Sequence, residues 1–532
     1  MPAAPKPKNT TEMQGSTAQG DEIRGKIQTI PELAGLVARL RAEGKTVVHA
    51  HGVFDVLHIG HVRHLEEAAR LGDVLIVTIT ADRHVNKGPG RPVFNEHLRA
   101  EMLAALQYVA WVAVNPDSDA ILLLNTLKPS IYVKGHEYAR AEDDVTGKIS
   151  KEREAVERHG GRIATTSDAL VFSSSNLINQ HFSIYEKPVR EYLDNMRKKD
   201  GLEKILSHLE SIKNFRVLLV GDTIIDDYQF VEPMGKSPKE ALVATKYKDR
   251  ELFAGGVIAA ANHVAGFCRE VEVVTAFGMS DSHEALVRKS LAPNVKLHPV
   301  YREGVPTTRK TRFVETSYAM RKMFEVYFFD DRPLNSTLSA EVTGILDRIA
   351  GDFDCVIVTD FGHGMISNPI IDTVTRRARF LAVNAQTNSA NTGFNLVTRY
   401  KRAHLICIDA PEARLAIGDK DMEVSTIVSE ALPQRIACPR FIVTQGRHGC
   451  ATYDALGGGL GRVPALTNTM VDPVGAGDAF LSLASPIAAA GAPLDIVGFF
   501  GNVAGAIKIG IVGHRSPVGK VPVVKFVTSL LK

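Results

Sequence analysis

Cysteine and tryptophan are scarce in this chain of 532 residues, which holds five Cys and one Trp. The thiols, Cys268, Cys355, Cys407, Cys438 and Cys450, all fall in the C-terminal half, and none forms a CxxC pair. An odd count without paired spacing excludes a disulfide framework and a Cys-based zinc site. Cys355, Cys407 and Cys450 sit in or beside apolar strand-like runs, so buried free thiols in a reducing cytoplasm are expected. An excess of either charge is also missing: 63 Lys+Arg against 60 Asp+Glu leave +3. That gives no electrostatic basis for binding nucleic acid or an anionic membrane, and no basic stripe is interleaved with aromatics. Long uninterrupted apolar runs are absent too. The most apolar stretch, 479–513, is broken by Pro486, Pro493, Asp495 and Lys508, which suits buried core helices rather than a membrane span. The first 26 residues lack any apolar segment and read as a disordered tail, not a signal peptide.

What remains is an ordinary globular composition, 45% hydrophobic and 23% charged. The length predicts several domains at roughly 100–200 residues each. From Ile30 onward, short apolar strand-like runs (46–50, 74–79, 109–114, 131–133, 162–164) alternate with helical segments. Such alternation predicts a parallel α/β sheet with ligands at its carboxyl edge. It stops near Phe182. A charged, amphipathic segment at 185–214 reads as two short helices forming a linker that packs on one or both domains, and a second βα series begins at Val217. Residues 301–329 alternate differently and predict an antiparallel lid inserted into that second domain. The expected organisation is a tail (1–26), a first α/β domain (27–184), the linker (185–214) and a second α/β domain (215–532).

Each domain carries one motif able to handle phosphate. Gly52-Val53-Phe54-Asp55 is followed by His58-Ile59-Gly60-His61, a turn that opens a helix. Such a turn presents unpaired N–H groups and a positive dipole end to anions, and Gly60 allows close backbone approach. His58 and His61 can donate to a triphosphate. Lys87 and Arg91, in a glycine-bearing loop, and Arg99 are expected clamps, and Ser173, Ser174 and Ser175 offer hydroxyls at a later helix start. Nucleotidyl transfer needs alignment and charge stabilisation more than a base, and these residue types supply both. The dense set His49, His51, His58, His61 and His64 is accounted for by the HxGH turn without invoking zinc. In the second domain, Asp472-Pro473-Val474-Gly475-Ala476-Gly477-Asp478 is a glycine turn before a helix. Its N–H groups can bind a γ-phosphate, and Asp478 is suited to take a proton from an alcohol.

The first motif set resembles the cytidylyltransferase-like superfamily, with its closest look to the transferase domain of the bifunctional heptose kinase/adenylyltransferases. The second resembles the ribokinase (PfkB-type) sugar kinases. Here the transferase comes first, the reverse of the familiar bifunctional order. The resemblance implies a Rossmann-like domain followed by a ribokinase-like fold with a small β lid. It places Gly52, Phe54 and Gly60 on nucleotide, Asp222 and Asp226 on sugar hydroxyls, and Gly255 and Gly256 where a sugar nears the backbone. Lys310 and Arg312 would also bind substrate. Gly446, Gly449 and Asn502 would border the kinase nucleotide, and Glu412 would organise Mg²⁺ indirectly. Departures are Asp409 at the first position of an Asn-x-x-Glu element, Gln386 in place of a lysine after a core strand, and His363 in place of another.

The implied activity is phosphorylation of a sugar, similar to heptose 7-phosphate, at its anomeric hydroxyl. Nucleotidyl transfer to the sugar 1-phosphate would follow, with ATP favoured and CTP open in the transferase half. A homodimer is implied by analogy. An alternative keeps only the transferase active and makes the kinase-like half a binding or regulatory module. A purely structural protein would require both motif sets to be vestigial.

Overall fold

The computed structural model describes residues 23–85, 87–88, 91–135, 149–166, 185–316, 320–467 and 469–531. The chain divides into two compact units, 1–184 and 185–531. In the first, helix α1 (Ile30–Ala42) precedes β1 (Val47–Gly52), α2 (Ile59–Ala69) and β2 (Val74–Thr80). Then come α3 (Glu96–Ala104), β3 (Trp111–Asn115), α4 (Ile121–Leu127), β4 (Ile131–Lys134), α5 (Ile149–Glu157) and β5 (Arg162–Thr165). The strands form one parallel sheet in the order β3-β2-β1-β4-β5. Val48, Ala50, Leu75, Val77, Val112 and Val133 bury one face, which explains the continuous apolar strands. The strand order reverses at β1, so the crevice beyond the carboxyl ends of β1 and β4 is where such a sheet binds ligands.

The second unit opens with α6 (Lys187–Lys199) and α7 (Gly201–Ser211). Their Leu193, Met196, Ile205 and Leu209 join Val217, Val271, Phe499 and Phe526 in one core cluster. The segment read as a linker is thus packed into this unit. Its main sheet has nine strands in the order β10-β9-β6-β13-β14-β15-β16-β17-β18. These are β6 (Arg216–Gly221), β9 (Glu270–Gly278), β10 (Val295–Arg302), β13 (Cys355–Asp360), β14 (Leu381–Ala385), β15 (Leu405–Asp409), β16 (Arg440–Thr444), β17 (Cys450–Asp454) and β18 (Gly459–Val463). Pairing is parallel except for the last two strands. The functional segments of this unit are reached from α8 (Val257–Ala265), α9 (Ala410–Ile417), α10 (Ala476–Ala489), α11 (Leu494–Lys508) and α12 (Lys520–Leu531).

The lid is larger than the sequence led us to expect. Strands β11 (Arg309–Glu315) and β12 (Arg321–Phe328) pair with β7 (Thr223–Lys236) and β8 (Val243–Gly256) in the order β12-β11-β7-β8. Residues 232–250 are charged and contain Pro233 and Gly235. Of these, 232–236 and 243–250 are the largely exposed outer halves of β7 and β8 and pair with one another, with 237–242 forming the connection. No helix among the described residues is long and apolar enough to cross a membrane.

Candidate active sites

In the first unit, β1 ends at Gly52 and the chain turns through two residues with left-handed backbone, Phe54 (φ 50°) and Val56 (φ 48°). A β-branched residue there is strained, at a cost of roughly 1–3 kcal/mol, so the surroundings must hold the turn. Two buried charged groups do so. The Asp55 carboxylate accepts from the Val93 and Phe94 N–H groups at 2.9 and 3.3 Å and pairs with Arg91 at 3.5 Å. The Arg99 guanidinium donates to the carbonyls of Val53, Phe94 and Thr80 and to the Asp82 carboxylate.

Arg99 is only 1% exposed and its donors are spent inside the protein, so it builds the turn instead of clamping phosphate. Arg99→Lys keeps the charge but loses the fork. We expect it to destabilise the first unit by about 3 kcal/mol or more, at roughly 1–3 for each buried acceptor left without a donor. A lower thermal midpoint with an unchanged KM for nucleotide checks this; a raised KM at an unchanged midpoint would restore the clamp.

His58 is the N-cap of α2, and its Nδ1 accepts from the Gly60 N–H at 3.1 Å. A backbone N–H can only donate, so in the neutral ring the proton sits on Nε2, which remains a donor. The His61 ring stacks on His58 at 4.0 Å, and Phe54 meets His61 edge-on at 5.3 Å. Burial, then His58, Lys87 and His64, push His61 down to about 3, so it is neutral at physiological pH. Its Nδ1 is buried with no hydrogen-bond partner. Gly52 faces the Phe54 ring, where a Cβ would lie at 3.1 Å. The structure therefore brings Gly52, Phe54, His58, Gly60, His61 and Lys87 to one sheet edge, with Arg91 tied to Asp55 beside them. Ser173, Ser174 and Ser175 lie outside the described residues. Asp55 as the turn's anchor was not foreseen; it lies between Phe54 and Val56, the two residues with left-handed backbone, and nothing in the local sequence marks that role.

In the second unit, Gly475 takes a left-handed conformation (φ 77°) and α10 begins at Ala476. A Cβ on Gly475 would lie 2.7 Å from the His514 ring and 3.3 Å from Lys508 Cε, so glycine is required there. Gly477 is exposed at the helix start and Asp478 is buried in its first turn. Gln386 Nε2 donates to Asp478 Oδ1 at 2.9 Å. Burial raises the Asp478 pKa above the ordinary carboxylate value, against the pull of His514, Gln386 and Lys508.

Asp226, on lid strand β7, binds Arg312 of β11 and accepts from His514 Nε2 at 3.2 Å. Burial would raise its pKa, but Arg312 and His514 hold it well below the usual range. Lys310 is buried 5.1 Å from the Tyr327 ring centroid, and burial lowers its pKa despite Asp226. Asp222, Thr307, Arg302 and His363 line a small open pocket. Both His363 ring nitrogens lack a hydrogen-bond partner, and burial, then Lys310, pushes this side chain down to about 3.

Several expected roles change. Asp222 accepts from the Phe361, His363 and Met365 N–H groups at 3.1, 3.4 and 3.1 Å, so its carboxylate also anchors that turn. Burial, then Asp360, pushes it up to about 7. The space beside Gly255 is filled by the Asp226 carboxylate, 2.0 Å from a built Cβ, and that beside Gly256 (φ 59°) by the Asp222 carbonyl at 2.4 Å. At both positions a side chain would collide with the protein's own atoms, so glycine is required. Gly449 (φ 79°) lies against the Val463 carbonyl, Gly446 (φ 54°) opens the turn after β16, and Asn502 donates to the Val463 and Pro464 carbonyls.

Glu412 forms a capping box with Asp409: its carboxylate accepts from the Asp409 and Thr387 N–H groups at 2.8 and 3.0 Å. Burial, then Asp409, pushes Glu412 up to about 8. Asp409 therefore performs the N-cap task that an asparagine would also perform. No group of three or more His, Cys, Asp or Glu among the described residues could hold a metal. This donor set fits a Mg²⁺ carried on nucleotide phosphates and reached through water, as this ion is commonly held. His514 and Lys508 were not foreseen; Lys508 ends α11 and His514 sits in the loop that follows, and no local motif marks them.

Residues 49–180 match the cytidylyltransferase-like family and residues 215–520 match the pfkB family carbohydrate kinases, the latter over more than half of the chain. The bifunctional protein HldE of Geobacter sulfurreducens is 36% identical over 169 residues, 31% of this chain and 33% of that protein. The protein of the same name from Syntrophotalea carbinolica is 37% identical over 168 residues, with the same two shares. The chain thus spans about a third of the length of these curated relatives. Among solved structures, phosphofructokinase-2 from Escherichia coli in complex with fructose-6-phosphate covers 60% of this chain and 100% of its own, at 14% identity and a TM-score of 0.48.

Proposed function

Because the chain belongs to the pfkB family carbohydrate kinases and carries a cytidylyltransferase-like domain before the kinase domain, we propose that it is a bifunctional sugar-activating enzyme. The kinase half phosphorylates the anomeric hydroxyl of a sugar phosphate resembling heptose 7-phosphate. The transferase half then joins the resulting sugar 1-phosphate to a nucleotide, AMP in preference to CMP. The observation that carries this reading is the buried Asp478 carboxylate, held by Gln386 in the first turn of a helix that follows the left-handed Gly475.

In the first step the sugar oxygen attacks the γ-phosphorus of ATP, its proton passes to Asp478, and ADP leaves. The N–H groups around Gly475, Ala476 and Gly477 and the α10 dipole stabilise the charge on the transferred group. Glu412 would hold, through water, a Mg²⁺ bound with the triphosphate, and that ion would supply charge neutralisation on the phosphates. In the second step a sugar 1-phosphate oxygen attacks the α-phosphorus of the nucleoside triphosphate and pyrophosphate leaves. No base is required, because the nucleophile is already ionised. His58, His61, Lys87 and the N-terminus of α2 stabilise the charge that builds on the α-phosphate.

Gln386, which stands where a cation was expected, supports a live kinase, since it orients the base directly. The test is a panel of sugars and sugar phosphates with ATP·Mg²⁺, followed by ATP or CTP while pyrophosphate is measured. ADP formation on a sugar phosphate and pyrophosphate on its product are expected. Pyrophosphate from a supplied sugar 1-phosphate with no acceptor ever phosphorylated would leave the kinase half regulatory. Tyr247, Phe324 and Phe328 are exposed on the lid strands, which supports a homodimer formed through the lid. Sedimentation equilibrium should return twice the chain mass, and a monomer at assay concentration would remove that part of the reading.

A further inference from the structure

Lys508 is the last residue of α11 and has no exposed surface. Its Nζ donates to the carbonyls of Val474 at 2.7 Å, Gly513 at 2.7 Å and Ile511 at 3.4 Å. All three protons of the ammonium are thereby placed on backbone oxygens from two separate segments. One is the turn of the Asp472–Asp478 motif, and the other is the loop that carries His514. Burying an ammonium against neutral carbonyls is costly, and an apolar side chain of similar length would avoid that cost. A C-terminal lysine that merely capped its own helix would bind carbonyls of that helix, whereas Val474 lies 34 residues away.

The opposite charge completes the arrangement. Asp472 accepts from the Val474 N–H at 3.2 Å and the Gly513 N–H at 2.8 Å. Val474 and Gly513 thus each give their N–H to Asp472 and their carbonyl to Lys508. This crossed pair of charges locks the turn before α10 to the loop that presents His514. Asp472 also accepts from Tyr228 of the lid strand β7 at 2.7 Å and from Lys322 of the lid strand β12 at 2.7 Å. The Lys508 charge acts on Asp478 and Asp226, both in the kinase site, and Lys508 Cε is 3.3 Å from a Cβ built on Gly475.

We propose that Lys508 is a resident cation of the kinase site, a positioning residue that sets the Val474–Gly477 turn and adds positive charge beside the transferred phosphate. Removing its side chain leaves a carbonyl-lined space that a small free monovalent cation fills. This rests on the kinase reading above, but the cation space can be read out without activity.

The experiment uses the full-length wild type, Lys508→Ala and Lys508→Met, assayed in choline chloride, ammonium chloride or methylammonium chloride at equal ionic strength. Wild-type ADP formation is expected to be the same in all three salts. Lys508→Ala should lose about 10²-fold in ADP formation, the scale of one lost electrostatic stabiliser. Ammonium should restore at least about tenfold of that and raise the thermal midpoint of the variant, with no effect on the wild-type midpoint. Lys508→Met, which fills the space without charge, should be equally slow and unresponsive. Pyrophosphate release by the transferase half should be unaltered throughout.

A wild type that itself needs an added cation, a Lys508→Met variant as active as wild type, or a folded Lys508→Ala variant that ammonium neither stabilises nor rescues would each overturn the proposal. The wild-type comparison stands even where a variant does not fold. If no sugar is phosphorylated by the wild type but ammonium still stabilises Lys508→Ala, the kinase reading fails and the cation space survives.

Discussion

Asp478→Asn is expected to lower ADP formation by about 10²–10⁴-fold, the range for a lost general base, while pyrophosphate release from a supplied sugar 1-phosphate stays at the wild-type rate. The substitution keeps the shape of the side chain and can still hydrogen-bond Gln386, so the α10 turn should stay folded. What is lost is the acceptor for the sugar proton. The pH dependence carries a second signature. Burial raises the Asp478 pKa above the ordinary carboxylate value, and only the ionised form can accept the proton. Kinase activity should therefore fall as pH falls through that raised pKa, at higher pH than an exposed aspartate would give. Steady-state rates between pH 4 and 8 would show this limb in the wild type. An Asp478→Asn enzyme that still forms ADP at near the wild-type rate would place the base elsewhere or end the kinase reading.

The second large effect belongs to the first unit. His61→Ala should reduce pyrophosphate release by about 10²–10³-fold, the scale for one donor that stabilises developing charge, and leave ADP formation intact. His61 is pushed down to about 3 by burial, then by His58 and Lys87, so it works as a neutral imidazole and its titration does not shape the transferase rate near neutrality. The same shift bears on stability. The folded His61 resists protonation that the unfolded chain accepts near its ordinary value of 6.5. Its contribution is therefore present above that value and is lost progressively as pH falls from 6.5 toward 3. Acid melting of the first unit followed in wild type and His61→Phe tests this, with a flatter acid limb expected for the variant. A His61→Ala enzyme with unimpaired pyrophosphate release would remove His61 from the chemistry and leave it a packing residue of the Phe54 turn.

Much of this site chemistry could be read locally. The HxGH turn and the Asp472–Asp478 run each place a glycine, a helix start and a functional side chain within ten residues, and such short-range geometry is dictated by backbone sterics and helix dipoles. The apolar strands were legible for the same reason, because a parallel sheet covered on both faces demands unbroken hydrophobic runs. The α/β class and the succession of two phosphate-handling domains follow from those patterns alone.

Tertiary structure decided what depends on partners far along the chain. Arg99 looked like a phosphate clamp because an isolated arginine beside a phosphate motif has no visible competitor. In the fold, the carbonyls of Val53, Phe94 and Thr80 take its donors. Asp222 and the Gly255–Gly256 pair looked like sugar contacts alone, but in the fold Asp222 also anchors the Phe361–Met365 turn and the Asp226 carboxylate packs against Gly255. The outer halves of β7 and β8 carry too little hydrophobic alternation to be strands on their own, and their extended form comes from pairing with one another. Lys508 at the end of α11 and His514 in the loop after it enter the kinase site without a motif, because buried charges are placed by the groups they meet, and those groups are assembled only when the sheet and its lid are complete.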